Sequence, residues 1–394
     1  MNNKIVFVTD GHSRKSLAVV RSFGEKGFTI YSGEETRSNI TRFSKYVKKD
    51  FKYFSPKINN KYFIDSLITI YNRYPFDILF PTDDESVLAI SEFRPFLPKE
   101  LIIPIGDKDA IKIARDKSKT IEVAEKIGVS VPKTINVSSI DDIDKKTKDL
   151  IFPVLIKPKE SSGSRGIAVV DNYSLLKEAY LNIHKNYSFP MIQEYINVDS
   201  EKFHICFLLD KSQKVMAKFT QKVIRQYPVN GGVGTLWQST INNEIEEMAL
   251  KLLKEIKWYG VALVEFVIDK NTNKPVLMEI NPRLWNTLSL SIDCNVDFPY
   301  LMYLLESGIQ FKPVLTYEVN KYGQWLFPGE FLNFLFNKDR FKQKIKYVDL
   351  KDKNRYDVII SKKDIKPFFG LFLVILRFIF DTKKWKHILR LNTT

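Results

Sequence analysis

Cysteine is nearly missing from this chain: Cys206 and Cys294 are the two among 394 residues. Two thiols build neither a disulfide scaffold nor a four-thiolate zinc site, and they point to a reducing, cytoplasmic compartment. Histidine is almost as scarce. His12, His184, His204 and His387 stand apart, no two at metal-ligand spacing, so a histidine-based zinc enzyme is not expected. Long apolar runs are absent as well. Ile5 to Val8 is too brief for a secretory signal, and Pro367 to Phe380 offers 14 residues interrupted by Arg377, short of the about 20 that a membrane span needs. The loop after the first strand has no Gly-x-Gly-x-x-Gly pattern, so no dinucleotide is expected there.

Charge of one sign is abundant but unevenly placed. The net charge is +15, and from Lys338 onward sixteen Lys and Arg face six Asp and no Glu, a local excess of +10. A nucleic-acid-binding protein more often spreads its positive charge over a folded face, so nucleic acid is not an expected partner. Hydrophobic residues make up 44%, enough for a large core, and the length suits two to three lobes of about 150 residues.

The opening pattern is a strand (Lys4 to Thr9), a helix (Ser16 to Phe23) and a second strand (Phe28 to Ser32), then a helix near Tyr62 to Tyr71 and a strand at Asp77 to Pro81. It predicts a doubly wound α/β domain over residues 1–107. One helix is expected from Lys108 to Ile127, ended by Gly128. Short strands at Phe152 to Pro158, Ile167 to Val170 and Met191 to Ile196 follow, then longer strands and a hairpin from Val261 to Asn281. The overall expectation is α/β and α+β: an N-terminal domain, a two-lobed domain at 108–315 with a lid lobe at about 118–190, and a basic C-terminal extension at 316–394 carrying the apolar segment 367–380.

The hairpin carries the strongest chemical signal. Val261 to Asp269 and Lys274 to Asn281 flank the turn Lys270-Asn271-Thr272-Asn273. Antiparallel partners have a constant index sum, which sets Glu265 opposite or nearly opposite Glu279. The period of two puts Asn281 on the same face as Glu279. Two adjacent carboxylates repel unless a cation lies between them, and Mg²⁺ suits an all-oxygen site that leaves positions for phosphate. A solvated pair of surface glutamates is the competing reading. Arg283 follows directly and puts a guanidinium where a phosphate would sit.

Other elements are weaker alone. Lys157 ends an apolar strand and is either a snorkelling strand end or a phosphate contact. The loop Lys159 to Gly166 (KESSGSRG) can offer backbone N–H groups to phosphate, though a plain hairpin turn explains it as well. Lys117, in ARDKSKT, is otherwise an ordinary helix-surface lysine. Strand alternation sends Gln193 and Tyr195 to one face and Glu194 and Ile196 to the other. Gly-rich Gln226 to Trp237 suits a substrate-pocket wall, and Arg225 beside it could hold a carboxylate bidentately. Trp237 fits a core position equally well.

Taken in order, ARDKSKT, LIKP with KESSGSRG, IQEYI, VEF and MEINPR closely resemble the ATP-grasp superfamily over about Lys108 to Lys312, and FTQKVIRQYP with EINPRLW resembles its carboxylate–amine ligase branch. The resemblance implies ATP between two lobes, with Lys117 and Lys157 on its phosphates. The loop with Ser162, Gly163, Ser164 and Gly166 would be a flexible lid. Gln193 and the backbone of Glu194 and Ile196 would read adenine, and Glu201 the ribose. Glu265, Glu279 and Asn281 would hold Mg²⁺, as two ions, with Mn²⁺ as a substitute. Lys222 and Arg225 would face the γ-phosphate and acyl group, and Arg283 the acyl phosphate. Cys206 departs from the resemblance, since relatives carry an acidic residue there. The implied activity is an ADP-forming ligase joining a carboxylate to an amine through an acyl phosphate. Another acceptor (a thiol, or carboxylation chemistry) and a membrane-associated nucleotide-binding regulator are the alternatives, and a homodimer is compatible. Lysines at 362, 363, 366, 383, 384 and 386 bracket the apolar segment, which suits peripheral contact of residues 360–394 with the inner face of a membrane, packing on the body, or a dimer interface.

Overall fold

The computed structural model describes residues 4–161, 166–196, 201–229, 231–349 and 351–372. The first sheet is parallel and built from β1 (Ile5–Val8), β2 (Thr29–Glu34), β3 (Val47–Lys52) and β4 (Ile78–Phe80) in the order β3-β2-β1-β4. Both faces of β1 are covered. Phe7 packs with Phe63, Ile64 and Leu67, while Val6 and Val8 pack with Val19, Val20 and Phe23 of the helix Arg14–Glu25. That double burial is why β1 reads as an unbroken apolar run rather than an alternating one.

The second sheet is small and antiparallel: β5 (Thr134–Asn136), β6 (Val154–Lys157), β7 (Ala168–Val170) and β8 (Met191–Glu194), in the order β5-β8-β6-β7. Leu176 and Tyr180 of the helix Tyr173–His184 cover one face, against Val154, Ile156, Val170 and Ile192. Gln193 and Lys157 are left on the strands of this lobe as its polar contribution.

The third sheet is the frame of the molecule. It runs β13-β12-β9-β10-β11-β14-β15, from β9 (Lys202–Leu209), β10 (Val215–Tyr227), β11 (Val233–Thr240), β12 (Gly260–Ile268), β13 (Pro275–Asn281), β14 (Tyr322–Gln324) and β15 (Arg355–Asp357). The helix Asn243–Glu255 packs on one face through Ile245, Ala249, Leu252 and Leu253. The other face presents Cys206, Leu208 and Leu263 to the helix Arg14–Glu25 of the first domain. Cys206 thus sits in a dry interior, and burial pushes its thiol pKa well up.

Two expectations change. The helix expected over 108–127 is two helices, Lys108–Arg115 and Lys117–Lys126, because the Asp116 carboxylate accepts the N–H groups of Ser118 and Lys119 and starts a new helix. Residues from 316 are not an appendage: β14 pairs with β11, and β15 with β14, completing the large sheet. Of the apolar segment 367–380, only 367–372 lies inside the described residues, where 366–372 is helical.

The C-terminal stretch is tied to the first domain by Asp364. Its carboxylate accepts from Arg21 Nε at 3.0 Å, Ser44 Oγ at 2.8 Å and the Lys45 N–H at 2.9 Å, and it is buried. Replacing Asp364 with Ala strands the Arg21 charge, so urea unfolding should show a loss of about 3 kcal/mol; an unchanged midpoint would contradict the tie.

Candidate functional site

The hairpin β12–β13 pairs Glu265 directly with Glu279 and Leu263 with Asn281. Cross-strand partners share a face, so Glu265, Glu279 and Asn281 project together. A bulge between Glu265 and Phe266 lets Leu277 and Ile280 of β13 turn into the core while Glu279 stays on the polar side. On the next strand His204 is the partner of Glu265, and on β10 Gln221 is the partner of His204. Four polar side chains therefore cross one sheet face in a row.

Their contacts define the electrostatics. His204 Nε2 lies 3.4 Å from Glu265 Oε2, and His204 Nδ1 lies 3.1 Å from Gln221 Nε2, which also donates to Thr287 Oγ1 at 2.5 Å. Burial alone would raise the Glu265 pKa. The His204 hydrogen bond, with the charges of His204, Lys202 and Lys157, outweighs it and holds the carboxyl well below the usual range. Glu279 Oε2 lies 3.4 Å from Lys117 Nζ, and its Oε1 accepts from Asn281 Nδ2 at 3.0 Å. Both carboxylates are part-exposed, with Lys117 beside Glu279 and Lys202 and Lys157 acting on Glu265.

Lys157 faces them from the small lobe. It is 5% exposed, and the charges that act on it are those of Lys117, Glu279 and Glu265. Burial, and then the neighbouring Lys117 charge, bring its pKa down to about 8, partly offset by Glu279 and Glu265. Lys117 is the first residue of its helix and donates to the Ser161 carbonyl at 2.7 Å, which binds it to the loop that follows β6. Gly166 closes that loop at φ +74°, and a Cβ there would meet the Tyr187 ring at 2.5 Å. Ser162, Gly163 and Ser164 lie outside the described residues.

On β8, Gln193 is buried and donates to Thr134 Oγ1 at 2.8 Å, leaving its Oε1 buried with no partner. Glu194 exchanges backbone and side-chain hydrogen bonds with Lys133. Ile196 ends the described part of that strand exit. Arg283 reaches across to the first domain: Nε donates to Asp84 at 2.8 Å, Nη2 to Asn281 Oδ1 at 3.0 Å and Nη1 to the Leu284 carbonyl at 3.0 Å. Asp83, next in line, pairs with Lys15 at 2.5 Å and with His12 at 3.4 Å.

Glu201 and Lys222 are brought together, but with each other. They form an ion pair, and Lys222 lies 5.8 Å over the Phe203 ring. Both line a cavity of about 330 Å³ with Lys202, Gln226, Asn333 and Asn337. Arg225 lines the same cavity and is paired with a carboxylate of the protein itself. Its guanidinium is buried in a bidentate pair with Glu330, donates to the Ile345 carbonyl at 2.5 Å and stacks 4.3 Å from the Tyr347 ring. The pair with Glu330 anchors the guanidinium in the wall of that same cavity. Trp237, expected equally as core or pocket, is core at 2% exposure.

His204, Gln221, Lys202 and Asp84 were not singled out from sequence. His204 and Lys202 could have been: they stand two apart, and pairing β9 with β12 puts them on the Glu265 face. Asp84 carries no such signal, because its role depends on how two domains dock.

Residues 114–287 match the family model of the ATP-grasp domain. Over this segment the chain is similar to the ATP-grasp superfamily. The carbamoyl phosphate synthase large chain of Thermotoga petrophila is 25% identical over 281 residues, 68% of this chain and 24% of that protein. The D-alanine–D-alanine ligase of Clostridium perfringens is 29% identical over 178 residues, 43% of this chain and 57% of that one. This chain thus spans about a quarter of the synthase and little more than half of the ligase. In fold, it is similar to the biotin carboxylase of Campylobacter jejuni, solved as a β-γ-ATP complex, with a TM-score of 0.67 at 18% identity over 80% of this chain and 74% of that one.

Two measurements check this geometry. Arg225→Ala leaves Glu330 buried and unpaired, so the midpoint of urea unfolding should fall by the equivalent of about 3–5 kcal/mol; a stable but inactive variant would return Arg225 to a catalytic role. Lys157 must be protonated to attract phosphate, so nucleotide affinity should weaken as pH rises through about 8, approaching tenfold per pH unit above it. Lys157→Met should bind weakly with a flat profile, and an unchanged profile in that variant would contradict the assignment.

Proposed function

We propose that this protein is an ADP-forming ligase that activates a carboxylate with ATP and Mg²⁺ and joins it to an amine. The observation that carries this is the register of Glu265 and Glu279 opposite the almost buried Lys157. The D-alanine–D-alanine ligase relative supports an amine acceptor. Carboxylation chemistry is the second reading, favoured by the likeness in fold to biotin carboxylase.

The donor set fits a hard divalent cation. Glu265 and Glu279 offer carboxylate oxygens on one face and Asn281 an amide oxygen, with neither thiol nor imidazole required. When bound there, Mg²⁺ supplies charge neutralisation to the phosphate oxygens. The nucleotide fits as well: the orphaned Gln193 Oε1 can accept from an exocyclic adenine amine, and Lys157 and Lys117 can donate to phosphate oxygens.

A carboxylate resists amine attack because oxide is a poor leaving group. Transfer of the γ-phosphoryl to the carboxylate oxygen gives an acyl phosphate and ADP. The amine lone pair then attacks the acyl carbon, phosphate leaves and the ammonium proton is lost. The chain's part is positioning and charge: Lys157 and Arg283 face the transferring group, and Asp84 fixes the Arg283 plane. Lys222, released from Glu201, stands at the cavity where the acyl substrate would lie. Closure of the small lobe excludes water, which would otherwise hydrolyse the acyl phosphate.

Glu279→Gln and Glu265→Gln should each lower ADP formation by about a thousandfold or more while circular dichroism and unfolding stay near wild type. Undiminished turnover in either would remove the metal role. A substrate panel read by phosphate release separates the two readings: dependence on both a carboxylate and an amine supports the ligase, and dependence on bicarbonate replaces it.

A further inference from the structure

The helix Phe331–Phe336 is built the wrong way round for a soluble surface. Its polar residue, Asn333, is 2% exposed and donates to the Gln226 carbonyl at 2.6 Å, while Phe331, Leu335 and Phe336 are 49%, 50% and 48% exposed. Helices at a water interface do the reverse, because exposing apolar area forgoes about 25 cal/mol per Å².

The exposed apolar area continues beyond the helix. The Phe331 ring touches Phe327 at 5.7 Å, Phe327 touches Phe372 at 5.8 Å, and Phe372 reaches Phe368 at 5.4 Å, next to Phe369. At the other end, Phe334 lies 5.9 Å from Phe341, which is 82% exposed. A joined patch of this kind marks an interaction surface.

The same stretch of chain is rich in lysine. Across 331–372 nine lysines are exposed, at 338, 342, 344, 346, 351, 353, 362, 363 and 366, against a single exposed acidic residue, Asp339. Exposed aromatics within a field of lysines suit a surface that is apolar underneath and anionic on top. Among the described residues no helix is long and apolar enough to cross a membrane, so the contact would lie in the interfacial plane.

We propose that this face, Phe331 to Phe372, docks the protein on an anionic membrane surface. The docking helix also walls the cavity beside Lys202 and Lys222 through Asn333. The membrane face and the candidate substrate cavity are therefore opposite sides of one short helix, which suits a substrate presented at the bilayer surface. The membrane proposal stands on the patch and not on the ligase chemistry.

The test is flotation of the full chain with vesicles of phosphatidylglycerol and phosphatidylcholine, against phosphatidylcholine alone. Binding should require phosphatidylglycerol and weaken with salt. Replacing Lys342, Lys344 and Lys346 by Gln should lower partitioning by about a hundredfold, and Phe341→Ser with Phe369→Ser should abolish it, while nucleotide binding stays as in wild type. No flotation, or equal flotation with both vesicles, overturns the proposal. A dimer in solution that the Phe341→Ser, Phe369→Ser variant splits also overturns it, in favour of a second copy as the occupant.

Discussion

Two like charges held side by side are the constraint on which the rest depends. Glu265 and Glu279 are fixed by hairpin register, so neither can withdraw from the other without breaking β12–β13 pairing. Ionised carboxylates at that spacing need positive charge around them. The fold supplies it from three directions: Lys202 from the neighbouring strand, Lys117 from a helix start, and Lys157 from the small lobe. The space among them is what a metal–triphosphate would fill under the proposed function.

The first domain takes part through charge as well as packing. Arg283 links Asn281 to Asp84, and the adjacent Asp83 gathers Lys15 and His12, with His12 passing on to Glu34 at 2.7 Å. Burial would lower the His12 pKa, but the Glu34 hydrogen bond and the Glu34, Asp83 and Asp10 charges carry it up to about 9. The imidazole is therefore cationic at neutral pH and offsets part of the acidic cluster around it. A continuous polar chain thus runs from the hairpin into the doubly wound sheet, so the two domains cannot slide past each other without breaking charged hydrogen bonds.

Much of this was legible in residues whose neighbours are set locally. Hairpin pairing follows from a short turn and a period of two, which is why Glu265 opposite Glu279 could be read directly. The β1 run and the helix after it show the same kind of local signal. What escaped depends on contacts distant in the chain. Nothing near Arg225 in sequence is acidic, yet Glu330, 105 residues away, pairs with it. Lys222 is diverted by Glu201, and the break at Asp116 came from a cap that a periodic pattern overrides. β14 and β15 are three residues each, too short for any periodicity to show.

The most direct measurement is electron paramagnetic resonance of Mn²⁺ bound with ATP, read for hyperfine coupling to phosphorus. The account predicts coupling to phosphate in the wild type, and its loss together with the bound ion when Glu265 and Glu279 are both replaced by Gln. Mn²⁺ and nucleotide that bind unchanged in that double variant, or bind without phosphorus coupling in the wild type, would contradict it.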